Sequence, residues 1–173
     1  LGQVVSQSEL IHHRGEWKRN GQGVVCASGR FDLLHPGHVR LLEQARALGD
    51  ILVVAVQSDA SVRASASQKI QSRQQRGKYT PPLPITPANE RAEILAALAA
   101  VDYVVEFDEP SLREFLAHLP PDIFVRGAAA GAEEATSSDD RAFEAMGCKV
   151  VRVPLEPGYS TARLVDRIAE LHA

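Results

Sequence analysis

The stretch GRFDLLHPGH, residues 29–38, limits what this chain can fold into more than any other segment. It follows VVCAS (24–28), a short apolar run rich in β-branched residues, and precedes HVRLLEQARALG, whose apolar positions recur at helical spacing. The next run, ILVVAV (51–56), is again a buried strand by composition. Strand, helix and strand this close together form a βαβ unit, in which the strands are parallel and the crossover is right-handed.

The same alternation continues along the chain. A capping box, Ser6 with Glu9, predicts a first helix over roughly 7–20. ANERAEILAALAAV, PSLREFLAHL, the end of AAAGAEEATSSDDRAFEAMG and a terminal segment after PGYS read as further helices. DYVVEF (102–107), DIFVRG (122–127) and CKVVRVPL (148–155) read as strands. The expected architecture is a Rossmann-like α/β fold: one open, parallel, five-stranded sheet with helices on both faces. All 173 residues are expected to form a single domain. Residues 60–87 are polar, basic and proline-rich, and read as a long loop able to act as a lid.

Bulk composition removes several function classes. A net charge of -3 gives no general attraction for nucleic acid. No apolar stretch is long enough to span a membrane, and no secretory signal is visible, so a cytoplasmic chain is expected. Cys26 and Cys148 read as small buried residues in a reducing compartment. The start at Leu1 reads as the loss of a tag or a preceding segment.

In open α/β sheets, ligands bind beyond the carboxyl ends of the strands. A helix N-terminus there presents unpaired N–H groups and the positive end of a dipole, which favours phosphate. Pro36 suits the first helical turn, and Gly37 lets backbone approach a ligand. His35 and His38 can then aim imidazole N–H donors at one phosphoryl oxygen and stabilise charge that develops during reaction. Two other readings stay open: a metal pair, for which no further ligands are evident, or incidental histidines.

GRFDLLHPGH resembles the G-x-F-D-x-x-H-x-G-H signature of the cytidylyltransferase-like nucleotidyltransferases. The segments GDILVVAVQSDASVR, ERAEILAALAAVDYVVEFDEP, PDIFVRG and VPLEPGYSTARLVDRI are similar to the branch that makes ADP-heptose from heptose 1-phosphate. The similarity is to a stand-alone transferase or an excised C-terminal half, without a sugar-kinase domain. It implies that His35 and His38 contact nucleotide phosphates, with Arg91 and Arg126 as further catalytic cations; a solvated helix charge is the other reading of Arg91. It places Gly29, Arg30, Phe31, Asp32 and Gly37 around the nucleotide. Asp32 serves equally as a structural cap of the signature loop. Asp59 either faces the site or caps the helix that follows it. Ser160 and Thr161 match the start of an S-T-T phosphate cradle, and capping alone also accounts for them.

Three departures stand out. The K-G-G-D-Y block of the family is RGAAAGA here, with Ala128 and Ala129 where glycine and aspartate are expected. Arg126 keeps the charge but not the geometry of lysine. S-T-T becomes Ser160-Thr161-Ala162. The segment after Arg63 is longer than the family's, and either Lys69 or Lys78 fits its loop lysine.

The resemblance implies AMP transfer from ATP to a sugar 1-phosphate, heptose 1-phosphate foremost, with Mg2+ assisting and pyrophosphate released. Two alternatives are a cytidylyltransferase acting on glycerol phosphate or another phosphorylated alcohol, and a catalytically degenerate nucleotide-binding regulatory module. Expected partners are these small molecules and further copies of the chain, with no nucleic acid, no membrane and no protein-bound metal site.

Overall fold

A computed structural model describes residues 1–108, 112–128 and 138–172, without the side chains at 67–69, 128 and 138. In chain order the elements are β1 (Gln3–Val4), α1 (Gln7–Arg19), β2 (Val24–Gly29), α2 (Pro36–Arg46), β3 (Ile51–Gln57), α3 (Asp59–Gln75), α4 (Ala88–Ala96), β4 (Tyr103–Phe107), α5 (Leu112–His118), β5 (Ile123–Ala128), α6 (Ser138–Ala145), β6 (Lys149–Pro154) and α7 (Thr161–Leu171).

The strands form one sheet in the order β1-β4-β3-β2-β5-β6, and every pairing is parallel. Parallel strands carry apolar side chains on both faces because both faces are covered. Val25, Ala27, Leu52, Val54, Val56, Val104 and Val125 pack on one side with Leu41, Leu42 and Ala45 of α2 and Ala92 and Leu95 of α4. Val24, Cys26, Val53, Ala55, Val105 and Phe124 pack on the other with Leu10 and Trp17 of α1, Phe115 of α5 and Phe143 of α6. Burying side chains of this size stabilises the fold by about 1.5–3 kcal/mol each, and it fixes α2 against β2.

The α/β class, the parallel sheet and the capping box agree with the sequence; the strand count does not. Six strands are present, because Gln3–Val4 adds a two-residue edge strand beside β4. Two residues are too few to show a period. Contact explains this strand: a Cβ on Gly2 would lie 2.5 Å from Val101 O, so only glycine lets the chain approach there.

Much of the expected 60–87 loop is helix: α3 runs from Asp59 to Gln75. Ser58 caps it, accepting a hydrogen bond from Ser61 N at 3.2 Å. Val62 and Ala66, four residues apart, are buried, so a thin apolar stripe suffices to dock a mostly polar helix. Its far end is fastened to α7, where Asp166 takes Arg73 at 2.5 Å and Lys78 at 3.2 Å. These two cations hold the Asp166 carboxyl below the usual carboxylate range.

The direction of strand addition reverses at β2. The chain moves from β2 through β3 to β4, then returns to place β5 on the other side of β2. Ligand crevices in open sheets open at such a reversal, beyond the strand ends. The signature leaves β2 at that point.

Candidate nucleotide site

The signature loop is built around Asp32. Its carboxylate accepts hydrogen bonds from Ile85 N at 2.7 Å and Thr86 N at 3.0 Å, and its carbonyl accepts from Thr161 Oγ1 at 2.7 Å. One buried residue thus ties the signature to the 81–86 segment and to α7. Its neighbours Phe31 and Leu33 both sit at φ 50, in the left-handed region. Such residues typically cost about 1–3 kcal/mol each and persist where surrounding contacts over-determine them. The buried Phe31 ring lies under Gly29, where a Cβ would come within 3.2 Å of it.

This loop delivers His35 to the N-cap of α2, with Pro36 and Gly37 opening the helix. The His35 and His38 rings stack with centroids 3.7 Å apart and an interplanar angle of 18°. Phe31 meets the His38 ring edge-on at 5.4 Å, and Tyr159 lies parallel to His35 at 6.3 Å. Arg40 covers the Tyr159 ring at 5.5 Å and is held by Glu156. Both Nδ1 atoms of the pair are buried and have no hydrogen-bond partner among the described residues. Unpaired buried polar atoms are uncommon and call for a cause, and a ligand that completes them is one.

Burial pushes the His35 imidazolium to lower pKa and pushes that of His38 down to about 4. For His38, the neighbouring His35 and Arg30 act in the same direction, and Asp32 opposes them. Near pH 7 both rings are therefore neutral, each with one N–H to donate. The sign of the stability effect follows. An unfolded chain takes up protons on these histidines near pH 6.5, whereas folded His38 resists until about pH 4. Between those values the unfolded state binds more protons, so stability falls as the pH is lowered through this window. Denaturant midpoints at pH 5 and pH 7 should show that drop, and His38→Gln should shrink it.

Gly37 keeps the pair in place. An added Cβ would lie 3.1 Å from His35 Cε1 and Nδ1 and 3.2 Å from Tyr159 Cβ, so the His35 ring would have to shift. Gly37→Ala is expected to keep or raise the unfolding midpoint, since alanine favours helix, while lowering turnover on the order of 10-fold. Thermal unfolding and steady-state rates on one preparation check both signs.

A cavity of ≈ 360 Å³ opens beside His35, lined also by Gly158, Tyr159, Ser160, Arg163 and Arg167. Ser160 caps α7, its hydroxyl oxygen accepting from Arg163 N at 3.1 Å. A smaller cavity of ≈ 100 Å³, mostly apolar, lies on the other side of α7 between Arg30, Ile70, Arg73, Thr161 and Val165.

Four residues read as site groups have different immediate partners. Arg91 is 1% exposed, and its nitrogens donate to Thr86 O at 2.8 Å, Arg30 O at 2.6 Å and Asp59 Oδ1 at 2.7 Å. It braces the loops around the signature, and these bonds leave little of it for a phosphate. Asp59 is neither the cap, which is Ser58, nor an open site group, because it pairs with Arg91. Arg126 extends from β5 on the same face as Phe124, opposite α2, and stands over that ring at 5.6 Å. Its Nε lies 2.5 Å from Asp140 Oδ1, an ion pair without hydrogen-bond alignment, while Arg152 approaches Asp140 Oδ2 at 2.8 Å. Thr161 gives its hydroxyl proton to Asp32 O. The RGAAAGA departure falls mostly outside the described residues, as does the side chain of Lys69. Lys78 rests on Asp166. Tyr159, Arg163 and Arg167 are site residues that the sequence reading misses, although the two arginines stand four apart on α7, starting two residues after Thr161.

The described residues do not form a seat for resident Mg2+. Asp32, within the signature, is engaged by backbone amides, and Asp59 by Arg91. Among the described residues no group of three or more His, Cys, Asp or Glu is arranged to hold a metal ion.

The cytidylyltransferase-like family matches residues 26–163, a span that includes the signature and the start of α7. The chain belongs to the cytidylyltransferase-like family. Among its relatives, the Bifunctional protein HldE of Koribacter versatilis is 41% identical over 164 residues, which is 95% of this chain and 31% of that protein. The Bifunctional protein HldE of Syntrophotalea carbinolica is 40% identical over 153 residues, 88% of this chain and 28% of that one. The chain thus spans about a third of the length of these curated relatives. Among solved structures, the lipopolysaccharide core biosynthesis protein of Thermoplasma volcanium is similar, with TM-score 0.56 and 26% identity over 79% of this chain and 98% of that one. Pantothenate synthetase of Thermus thermophilus shares the fold, with TM-score 0.53 and 17% identity over 88% of this chain and 61% of that one. In this member of the cytidylyltransferase-like family the histidine pair stands at the mouth of α2, just beyond the carboxyl end of β2. Among the described residues no helix is long and apolar enough to cross a membrane.

Proposed function

We propose that this chain transfers AMP from ATP to a sugar 1-phosphate, of the heptose class, and releases pyrophosphate. An oxygen of the sugar phosphate bonds to the α-phosphorus of ATP. The bond from that phosphorus to the bridging oxygen breaks, and its electron pair leaves with pyrophosphate. The attacking oxygen is already anionic, so no general base is needed. The protein's part is positioning and charge stabilisation.

The observation that carries this reading is the His35–His38 stack at the mouth of α2. Neutral imidazoles can donate hydrogen bonds to an oxygen as charge grows on it, at no cost in burying a second cation. Gly37 admits the backbone, and Arg91, through Arg30 and Asp59, holds the loop that aims the rings. Similarity to the HldE proteins and to a lipopolysaccharide core biosynthesis protein supports a phosphorylated sugar as acceptor. A reaction that consumes ATP suits a cytoplasmic chain, and this reading places it there.

Pyrophosphate release over a panel of acceptors tests it. Heptose 1-phosphate with ATP should give the highest kcat/KM. Glycerol 3-phosphate with CTP giving the highest value would reassign the substrate. Nucleotide binding without release from any pair would make the chain a binding module.

A further inference from the structure

We propose that Arg163 and Arg167 hold the β- and γ-phosphates of the triphosphate and then the departing pyrophosphate. The inference rests on the nucleotidyl-transfer reading and adds two cations to it.

Both side chains line the ≈ 360 Å³ cavity that His35 and Ser160 also line. They stand four residues apart on α7, on one helix face and about 6 Å apart along its axis, close enough to share one diphosphate. Like charges at this spacing repel, so the pair weakens the helix unless an anion lies between them. No carboxylate lines the cavity among the described residues. Two neighbouring acidic groups are engaged elsewhere: Asp166 holds Arg73 and Lys78, and Glu156 holds Arg40. Neither Arg163 nor Arg167 has an ion pair among the described residues.

The position also suits the reaction. His35 belongs to both places, stacking on His38 and lining this cavity. As the bridging bond breaks, negative charge accumulates on the pyrophosphate. Planar guanidinium forks match phosphoryl oxygens two at a time. Gly158, at φ 87, turns the chain into α7, and a Cβ there would lie 3.6 Å from Arg163 Nη1. The backbone is therefore close to this fork without crowding it.

Titration calorimetry with inorganic pyrophosphate tests the assignment on the wild type, the Arg163→Gln/Arg167→Gln pair and the Arg163→Lys/Arg167→Lys pair. Steady-state KM for ATP and for the acceptor, and thermal unfolding, are measured on the same proteins. The glutamine pair should bind pyrophosphate roughly 10- to 100-fold more weakly and raise the ATP KM by a similar factor. The acceptor KM should not change, and the unfolding midpoint should stay or rise as the repulsion is removed. The lysine pair should recover part of the affinity. Unchanged pyrophosphate affinity in the glutamine pair, with a wild type that binds, overturns this assignment alone. So does a loss that comes with a lowered midpoint and no recovery by lysine. A wild type that neither binds pyrophosphate nor releases it from any triphosphate overturns the transfer reading and this assignment with it.

Discussion

His38→Ala is expected to lose about 10²–10³ in turnover while the protein stays folded, the usual cost of removing one donor that acts in the transition state. The ring is half-buried and its Nδ1 has no partner among the described residues, so truncation strands no donor or acceptor bound to that atom. Alanine suits the first turn of α2, and the core contacts of Leu41 and Leu42 are untouched. What goes is one half of the 3.7 Å stack. The KM for ATP should change less than kcat, because the donor matters most when charge develops. Single-turnover rates with saturating ATP, beside a circular-dichroism melt, separate this from a folding defect. Full turnover in the variant would remove the histidine pair from the chemistry.

Arg91→Met should show the opposite pattern, a large loss of stability with a loss of activity that follows from it. Methionine keeps most of the volume but removes three hydrogen bonds, to Thr86 O, Arg30 O and Asp59. Breaking a buried ion pair by removing one partner costs about 3–5 kcal/mol. Asp59 keeps 32% of its side-chain surface in water, so the low end of that range applies. A loss of roughly 3 kcal/mol corresponds to a fall of roughly 6–12 °C in the unfolding midpoint of a domain this size. Asp59→Asn in the same background should add little, since the pair is already broken. If Arg91 instead met phosphate directly, the melt would barely move and the ATP KM alone would rise.

These two variants also show where the amino-acid sequence is informative. The signature, its place after a strand and before a helix, and the meeting of His35 with His38 are local features, readable from spacing. The buried strands are legible too, because β-branched runs such as ILVVAV have few other ways to be satisfied. The surroundings of Arg91 are not. Its partners come from residues 30, 59 and 86, and only the assembled fold brings them within reach. Along the sequence it is a charged residue on an amphipathic helix, and the family resemblance pointed it at phosphate. Asp32 is similar: its reach to Ile85 and Thr86 depends on the path of a segment with no regular period. The helix α3 was hidden by composition, since the buried apolar residues Val62 and Ala66 stand among serines, glutamines and arginines. Tertiary docking, through the Arg73–Asp166 pair, supplies what intrinsic propensity does not.

The most direct measurement follows the α-phosphorus itself. ATP labelled at that atom is incubated with the protein and heptose 1-phosphate, and label is counted in nucleotide, sugar nucleotide and free phosphate. The expected result is label in the sugar nucleotide, one equivalent for each pyrophosphate released, and almost none when His35 and His38 are both replaced by alanine. Label left in ATP or AMP, orthophosphate in place of pyrophosphate, or undiminished transfer by the doubly substituted protein would contradict it.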